Sequence, residues 1–413
     1  MYNAKYMVRK GGCLTVNEAY IVSAVRTATG NLGGSLKSVL PEELLVPVIK
    51  ESIARGGVSG ELVSELIMGQ TKQSADCPNV ARVASLKAGL PEELSAYTVH
   101  RQCGSGMQAL INGFFQIRCN EADFVVAGGV ESMSTAQYYL RNARYGYGVG
   151  NAALLDPNTE SQPKSQPEET YGSLIMGMTA ENLAEKYSIS REDQDRFAYK
   201  SQMNAVRAID EGRFKDEIVP AALPQKKGDP VLFDVDEFPR RDTSPDKLAK
   251  LKPAFKIPDG TVTAGNSSGR NDGAAALLVV SEDAVKKYDL KPMARIVAAA
   301  SAGVDPRYMG IGPVPATRKV LEKTGLALAD MGLIEINEAF AAQTLACVKE
   351  LGVDEERLNV NGGAIALGHP LGCSGARIVV TLVHEMVKRN ERYGLAAICI
   401  AGGQGLAVVV EKV

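Results

Sequence analysis

Cys103-Gly104-Ser105-Gly106 leads into a helical pattern over Met107–Arg118 and then a valine-rich run ending Ala127-Gly128-Gly129. Far along the chain, Gly372-Cys373-Ser374-Gly375 leads into Ala376–Arg389 and a run ending Ala401-Gly402-Gly403. The same order of elements met twice is a sign of internal duplication. Working outward, apolar runs bounded by glycine or polar residues mark strands at Tyr20–Arg26, Glu65–Met68, Tyr97–His100, Phe124–Gly128 and Ala274–Val280. The second half offers Ala294–Ala300, Leu333–Ile336, Leu358–Asn361, Ala396–Ile400 and Leu406–Val410. Helical patterns at Pro41–Ala54, Pro315–Lys323 and Ala339–Leu351 join the two already named and separate most successive strands. That alternation predicts an α/β protein with largely parallel sheets.

The gap between the fourth and fifth strands breaks the symmetry. In the second half it is a tight turn around Gly402 to Gly405; in the first it runs from about Glu131 to about Val262. The long gap carries a Pro/Gln-rich stretch, Asp156–Glu169, and a helix over Arg191–Glu211 with Ser190 and Asp193 as its capping box. A basic segment follows, with Lys226, Lys227, Arg240, Arg241, Lys250 and Lys252. This is too long for a plain loop and reads as an inserted domain. The expected division is an N-terminal half at 1–132 completed by 263–293, a loop domain at 133–262, and a C-terminal half at 294–413.

Composition narrows the function. The 413 residues hold 46 basic and 48 acidic side chains, a net charge of −2, so nothing global attracts nucleic acid or a membrane surface. No apolar run approaches the roughly 18 residues of a membrane span. Seven cysteines, an odd number without a CxxC pair, point to free thiols in a reducing compartment, which predicts a cytoplasmic protein. His369 and Cys373 stand alone as a metal-ligand pair, so no metal is expected. The first sixteen residues carry Lys5, Arg9 and Lys10 without an apolar core and read as a disordered start, with a short organelle-targeting leader as the alternative, rather than a secretory signal. The C-terminal Glu411-Lys412-Val413 is not a peroxisomal address.

Glycine clusters at Gly128-Gly129, Gly362-Gly363, Gly368 and Gly402-Gly403 fall at predicted strand ends, where open α/β sheets bind ligands. Gly146-Tyr147-Gly148-Val149-Gly150 follows no strand, and no phosphate-binding loop motif exists, so a nucleotide enzyme is poorly supported. Cys103 sits between a strand and a helix, where the helix N-terminus lowers a thiol pKa and offers N–H groups to an oxyanion. Cys13, Cys77, Cys119 and Cys347 read as packing thiols. His369, held between Gly368 and Pro370, is placed to act as a base. His384 lies within a helix, and His100 ends a strand in a structural role. Cys399 closes a strand two residues before a glycine run, and Asn337 has the setting of an ordinary helix N-cap. Two cysteines, a histidine and an asparagine at equivalent strand ends make a candidate site.

These residues resemble the thiolases, the acetyl-CoA acetyltransferase and 3-ketoacyl-CoA thiolase group, over nearly the whole chain. The motifs are Cys103–Gly106, Gly128–Ser134, Met176–Asn182, Thr263–Gly269, Asn337–Phe340, Asn361–Pro370 and Cys399 with its glycines. The resemblance implies a five-layered αβαβα fold of two duplicated halves with an inserted loop domain, assembled as a homotetramer, a dimer of dimers. It implies that Cys103 is acylated, His369 assists its deprotonation, Cys399 is a second acid/base, and Asn337 positions a water in an oxyanion hole. Coenzyme A and acyl-CoA would be substrates, with no permanently bound cofactor. Arg240 would lie near the nucleotide end, and Ser268, Met176, Phe255, Ala264, Met309 and Phe340 along the pantetheine arm and acyl pocket. The chain departs from the family's common pattern at Ala401, where glycine is usual, and at Ile175, His100 and Ala28. The rival readings are a decarboxylating ketoacyl synthase-type enzyme, which favours two histidines beside its cysteine, and a non-catalytic acyl-CoA carrier, which needs no second thiol.

Overall fold

The apolar runs form the central strands: β1 (Ala19–Thr27), β2 (Glu65–Gly69), β3 (Ser95–Val99), β4 (Phe124–Ser132) and β5 (Asn271–Ser281), then β6 (Ala294–Gly303), β7 (Leu333–Ile336), β8 (Tyr393–Ile400) and β9 (Gln404–Lys412). The helices used below are α1 (Pro41–Arg55), α2 (Val80–Lys87), α3 (Ser105–Arg118), α4 (Met176–Tyr187), α5 (Arg191–Asp210), α6 (Pro313–Thr324), α7 (Ala341–Leu351) and α8 (Leu371–Arg389). The computed structural model describes residues 6–9 and 12–413, with side chains from residue 16. The packing role expected of Cys13 lies outside the described side chains. Tyr6–Arg9 pairs with Gly12–Thr15 as a short antiparallel hairpin where a disordered start was expected.

The main sheet runs β7-β8-β9-β6-β1-β5-β4-β2-β3. In each half the first strand neighbours the fifth, the fifth the fourth, and the fourth the second, which is the duplication in three dimensions. The halves meet where Ala294 and Arg295 pair with Ile21 and Tyr20. Two expectations need correction. The sheet is mixed, not largely parallel, because the fifth strand of each half runs antiparallel to both neighbours. The β8–β9 connection is a tight turn with no crossover helix, and such a turn can only reverse the chain. Leu358–Asn361 is not a strand: only Leu358 bridges to Ile334, at the place the third strand holds in the first half.

Strand alternation builds the layers. Along β4, Phe124 and Val126 face α1 and α2, while Val125 and Ala127 face α3 and α8. Along β8, Ala396 and Ile398 face that same central helix pair, while Leu395 and Ala397 face α6 and α7. Helices therefore cover both sides of both half-sheets, giving five layers, α-β-α-β-α. Both strand faces are buried, which explains the unbroken apolar runs. The paired glycine-serine motifs serve this packing. A Cβ on Gly106 would sit 2.7 Å from the Gly372 carbonyl oxygen, and one on Gly375 would sit 2.6 Å from the Met107 backbone nitrogen, so the N-termini of α3 and α8 touch only because residues 106 and 375 are glycine.

The segment between β4 and β5 folds over the second half. Ser190 Oγ caps α5 by accepting from the Asp193 N–H at 3.0 Å. Ile218–Val219 adds a short strand beside β1. The fully buried Arg26 locks the segment down, with Glu217 at 2.6 Å and Asp236 at 2.8 Å.

Candidate active site

Cys103 lies one residue ahead of the Gly104 N-cap of α3 and is buried. Ser105 Oγ accepts from the Arg101 N–H and donates to the Gln102 carbonyl, which closes the turn that presents the thiol. Gln102 takes a left-handed φ of 46° there. Burial pushes the Cys103 thiol up to about 11, opposed by the N–H groups of Ala401 and Cys103 itself and by the Lys72 charge. The left-handed turn conformations fall on Gly402 and Gly403, so alanine at 401 keeps the N–H donor without backbone strain.

His369 is buried on the loop ahead of α8, its N–H donated to Asn271 Oδ1 at 2.9 Å. Its Nδ1 lies 2.6 Å from Ser374 Oγ, and that hydroxyl donates its own proton to the Pro370 carbonyl at 2.8 Å. Ser374 can therefore only accept, so Nδ1 carries the imidazole proton and Nε2 is a bare lone pair. Nε2 has no hydrogen-bond partner among the described residues. Burial, helped by the Arg377 charge, pulls the His369 pKa down to about 3, so the ring rests neutral.

Cys399 is the next-to-last residue of β8, opposite Gly405. Burial raises its thiol well above the ordinary value, with the Cys103 and Cys347 thiols adding to the shift. Cys103, His369 and Cys399 line one cavity of about 180 Å³ with Met176, Phe255, Ser268, Met309 and Phe340. Phe255 and Phe340 meet edge to face, 6.1 Å between ring centres. An outer cavity of about 690 Å³ holds Arg240, its guanidinium over the Phe238 ring, and Arg270 lines both cavities.

Two predicted residues stand apart. Ala264 is exposed and off the Cys103 cavity, since Asn266 Oδ1 holds the Thr263 N–H in a turn that points residue 264 outward. Asn337 is buried just behind the cavity and caps no helix. α7 starts at Ala341, and neither polar atom of the Asn337 amide has a partner among the described residues. Of the other histidines, His384 bonds the Ala24 carbonyl and His100 is exposed. Sequence reading missed the carboxylates that hold the site. Glu131 accepts from the N–H groups of Thr71, Lys72 and Gly372, bracing the start of α8. Glu338 accepts from Ser201, Asn359 and the Ile365 N–H, pinning the Asn337 turn to α5. Both lie inside quoted motifs, but only tertiary contacts reveal their partners.

Residues 19–283 match the thiolase N-terminal domain, and residues 290–412 match the thiolase C-terminal domain. The chain belongs to the thiolase family. An acetyl-CoA acetyltransferase of Pseudomonas aeruginosa is 50% identical over 397 residues, covering 96% of this chain and 100% of the relative. A beta-ketoadipyl-CoA thiolase of the same organism is 48% identical over 402 residues, covering 96% of this chain and 99% of the relative. The crystal structure of the Bacillus anthracis acetyl-CoA acetyltransferase superposes with a TM-score of 0.94 at 47% identity, covering 96% of this chain and 99% of that one. Human mitochondrial 3-ketoacyl-CoA thiolase in complex with CoA superposes with a TM-score of 0.91 at 46% identity, covering 96% of this chain and 98% of that one. The thiolase is an acyltransferase that uses CoA thioesters. No helix among its described residues is long and apolar enough to cross a membrane.

Proposed function

We propose that the thiolase transfers acyl groups through Cys103, with His369 and Cys399 as the proton-handling partners. The observation that carries this is the shared cavity of two thiols and an unpartnered imidazole nitrogen. A buried thiol with a pKa near 11 beside an imidazole with one near 3 rests as a neutral pair. Charge then develops only as the sulfur attacks the thioester carbonyl. The Cys103 proton goes to His369 Nε2 while the negative charge moves to the carbonyl oxygen, where N–H donors stabilise it. The Ala401 N–H beside the sulfur suits that role. Cys399, lining the same cavity, removes a proton from the second acetyl-CoA in condensation, or from the CoA thiol in thiolysis. Asn337, with an amide left unpartnered, is suited to hold a water against the developing enolate.

Coenzyme A enters through the outer cavity, with Arg240 toward its phosphates and Met176, Phe255, Ser268, Met309 and Phe340 along the pantetheine arm. The inserted segment thus serves as the CoA-binding domain. Free thiols at Cys77, Cys103, Cys119, Cys347, Cys373 and Cys399 support work in a reducing cytoplasm. The exposed Tyr138, Leu140, Tyr145, Val149 and Leu154 on one loop support assembly into a homotetramer. Acetoacetyl-CoA cleavage dependent on added CoA tests the activity. Robust cleavage, lost in Cys103→Ala, is expected; retained cleavage in that variant would remove Cys103 from the mechanism.

A further inference from the structure

The Cys103 turn and the turn after Cys399 come from opposite halves of the duplication, and the side chain of Arg101 joins them. Its Nε and Nη2 donate to Gln404 Oε1 at 3.3 and 3.1 Å, while Nη1 donates to Gln108 Oε1. Both acceptors are held in place. Gln108 Nε2 donates to Asn112 Oδ1 at 2.7 Å, which turns its oxygen toward Arg101. Gln404 opens β9, paired with Ile400 on one side and Gly303 on the other. The Val304 N–H holds the adjoining Gly403 carbonyl at 2.7 Å. Burial pulls the Arg101 pKa down, with no neighbouring acid opposing the shift. A half-buried cation spent on two neutral amides gains geometry rather than charge pairing.

That geometry bears on the thiol. Arg101 stands two residues ahead of Cys103 and bridges to it through the backbone. Between them Gln102 holds its left-handed φ of 46°, a conformation that persists where its neighbours over-determine it. On the other turn, Ala401 lies three residues before Gln404, and its N–H reaches the Cys103 sulfur. Sulfur and donor therefore ride on separate turns. Gly104 packs on Ile400, where a Cβ would meet Ile400 Cδ1 at 2.5 Å. Apolar contact of that kind sets how near the turns lie but is non-directional, whereas a forked guanidinium fixes their register.

We infer that Arg101 is a positioning residue for acyl transfer: by bridging Gln404 and Gln108 it holds the Cys103 sulfur in register with the Ala401 N–H. This rests on the acyl-transfer reading of Cys103. Arg101 does not line the Cys103 cavity, so its loss leaves the thiol, His369 and the CoA-lining side chains in place. What it loosens is the alignment of a donor with the developing oxyanion. Removing such a donor outright costs roughly 100- to 1000-fold in rate, and misaligning it costs part of that.

The test compares Arg101→Leu, Gln404→Leu and the double variant by rapid-quench acylation with acetyl-CoA and by steady-state thiolysis of acetoacetyl-CoA. Each single variant should acylate Cys103 about ten- to 100-fold more slowly, with KM for CoA within about twofold of wild type. The double variant should be slower than the slower single by no more than about twofold, because the two side chains form one link. Gln404→Glu, which keeps an acceptor oxygen, should acylate faster than Gln404→Leu. Acylation of Arg101→Leu within about twofold of wild type, losses that multiply in the double variant, or a loss carried by KM alone would each overturn the inference and leave acyl transfer through Cys103 standing. A wild type that takes no acyl group on Cys103 would overturn both. Should Arg101→Leu not fold, Gln404→Leu reads the same link from its other end, and acylation there at the wild-type rate overturns the inference.

Discussion

Replacing Ser374 by alanine tests how the site sets the tautomer of its histidine. In the wild type, Ser374 Oγ spends its proton on the Pro370 carbonyl and accepts from His369 Nδ1 at 2.6 Å. Ser374→Ala leaves Nδ1–H as a buried donor without an acceptor, a penalty of about 1–3 kcal/mol. The ring escapes that penalty by moving its proton to Nε2, which opens on the cavity. The tautomer able to receive the Cys103 proton then becomes the minor one by the same amount. At about 1.4 kcal/mol per decade this is a roughly five- to 150-fold loss. The loss should fall on kcat, with KM for CoA nearly unchanged, because no CoA-lining side chain is altered. Rapid-quench acylation by acetyl-CoA measures the chemical step directly, and Ser374→Thr, which keeps the hydroxyl, should restore much of it. Acylation within about twofold of wild type in a folded Ser374→Ala protein would refute the tautomer argument.

Other consequences follow from the same geometry. Cys399→Ser should still be acylated on Cys103 but fail to form acetoacetyl-CoA; unchanged condensation would remove Cys399 from the second step. Asp236→Ala strips a bidentate partner from the fully buried Arg26, at 2.8 and 2.9 Å, and should cost about 3–5 kcal/mol in denaturant unfolding. Burial pushes the thiols of Cys103, Cys347 and Cys373 up to about 11, 12 and 12, and Cys399 well above its usual value. Above pH 9 the unfolded chain loses thiol protons that the folded one keeps, so stability is full below that pH and falls as pH rises. The loss is on the order of 1 kcal/mol per thiol by pH 10. Melting temperatures that stay flat from pH 8 to 10 would contradict that burial.

The elements most legible in the sequence were those with two buried faces. β4 and β8 read as strands because both their alternating sets are apolar, and the repeated glycine-serine turns marked the internal duplication. Strand direction was less legible. The Gly402 turn carried the information that β9 reverses, but the alternation of strands and helices outweighed it. Leu358–Asn361 has a strand's composition yet makes one bridge, because Asn359 is spent on the Ile336 backbone and Glu338 instead. At the site, Cys103, His369 and Cys399 were readable from their places at strand and helix ends. Asn337 looked like a helix cap by local rule, yet its amide is free of any helix. The partners of Glu131 and Glu338 were invisible, since they come from separate segments and share no motif. Cys77 and Cys347 read as packing thiols and are buried, whereas Cys119, read the same way, is exposed; Cys347 also lies close enough to raise the Cys399 pKa.

The most direct measurement is intact-protein mass spectrometry after a brief mix with acetyl-CoA, with peptide mapping of the modified site. The account predicts one acetyl group, located on Cys103, discharged by added CoA and absent from Cys103→Ala. A Cys103→Ala protein labelled to the same extent, or an acetyl group mapped to another residue and discharged by CoA at the turnover rate, would contradict it.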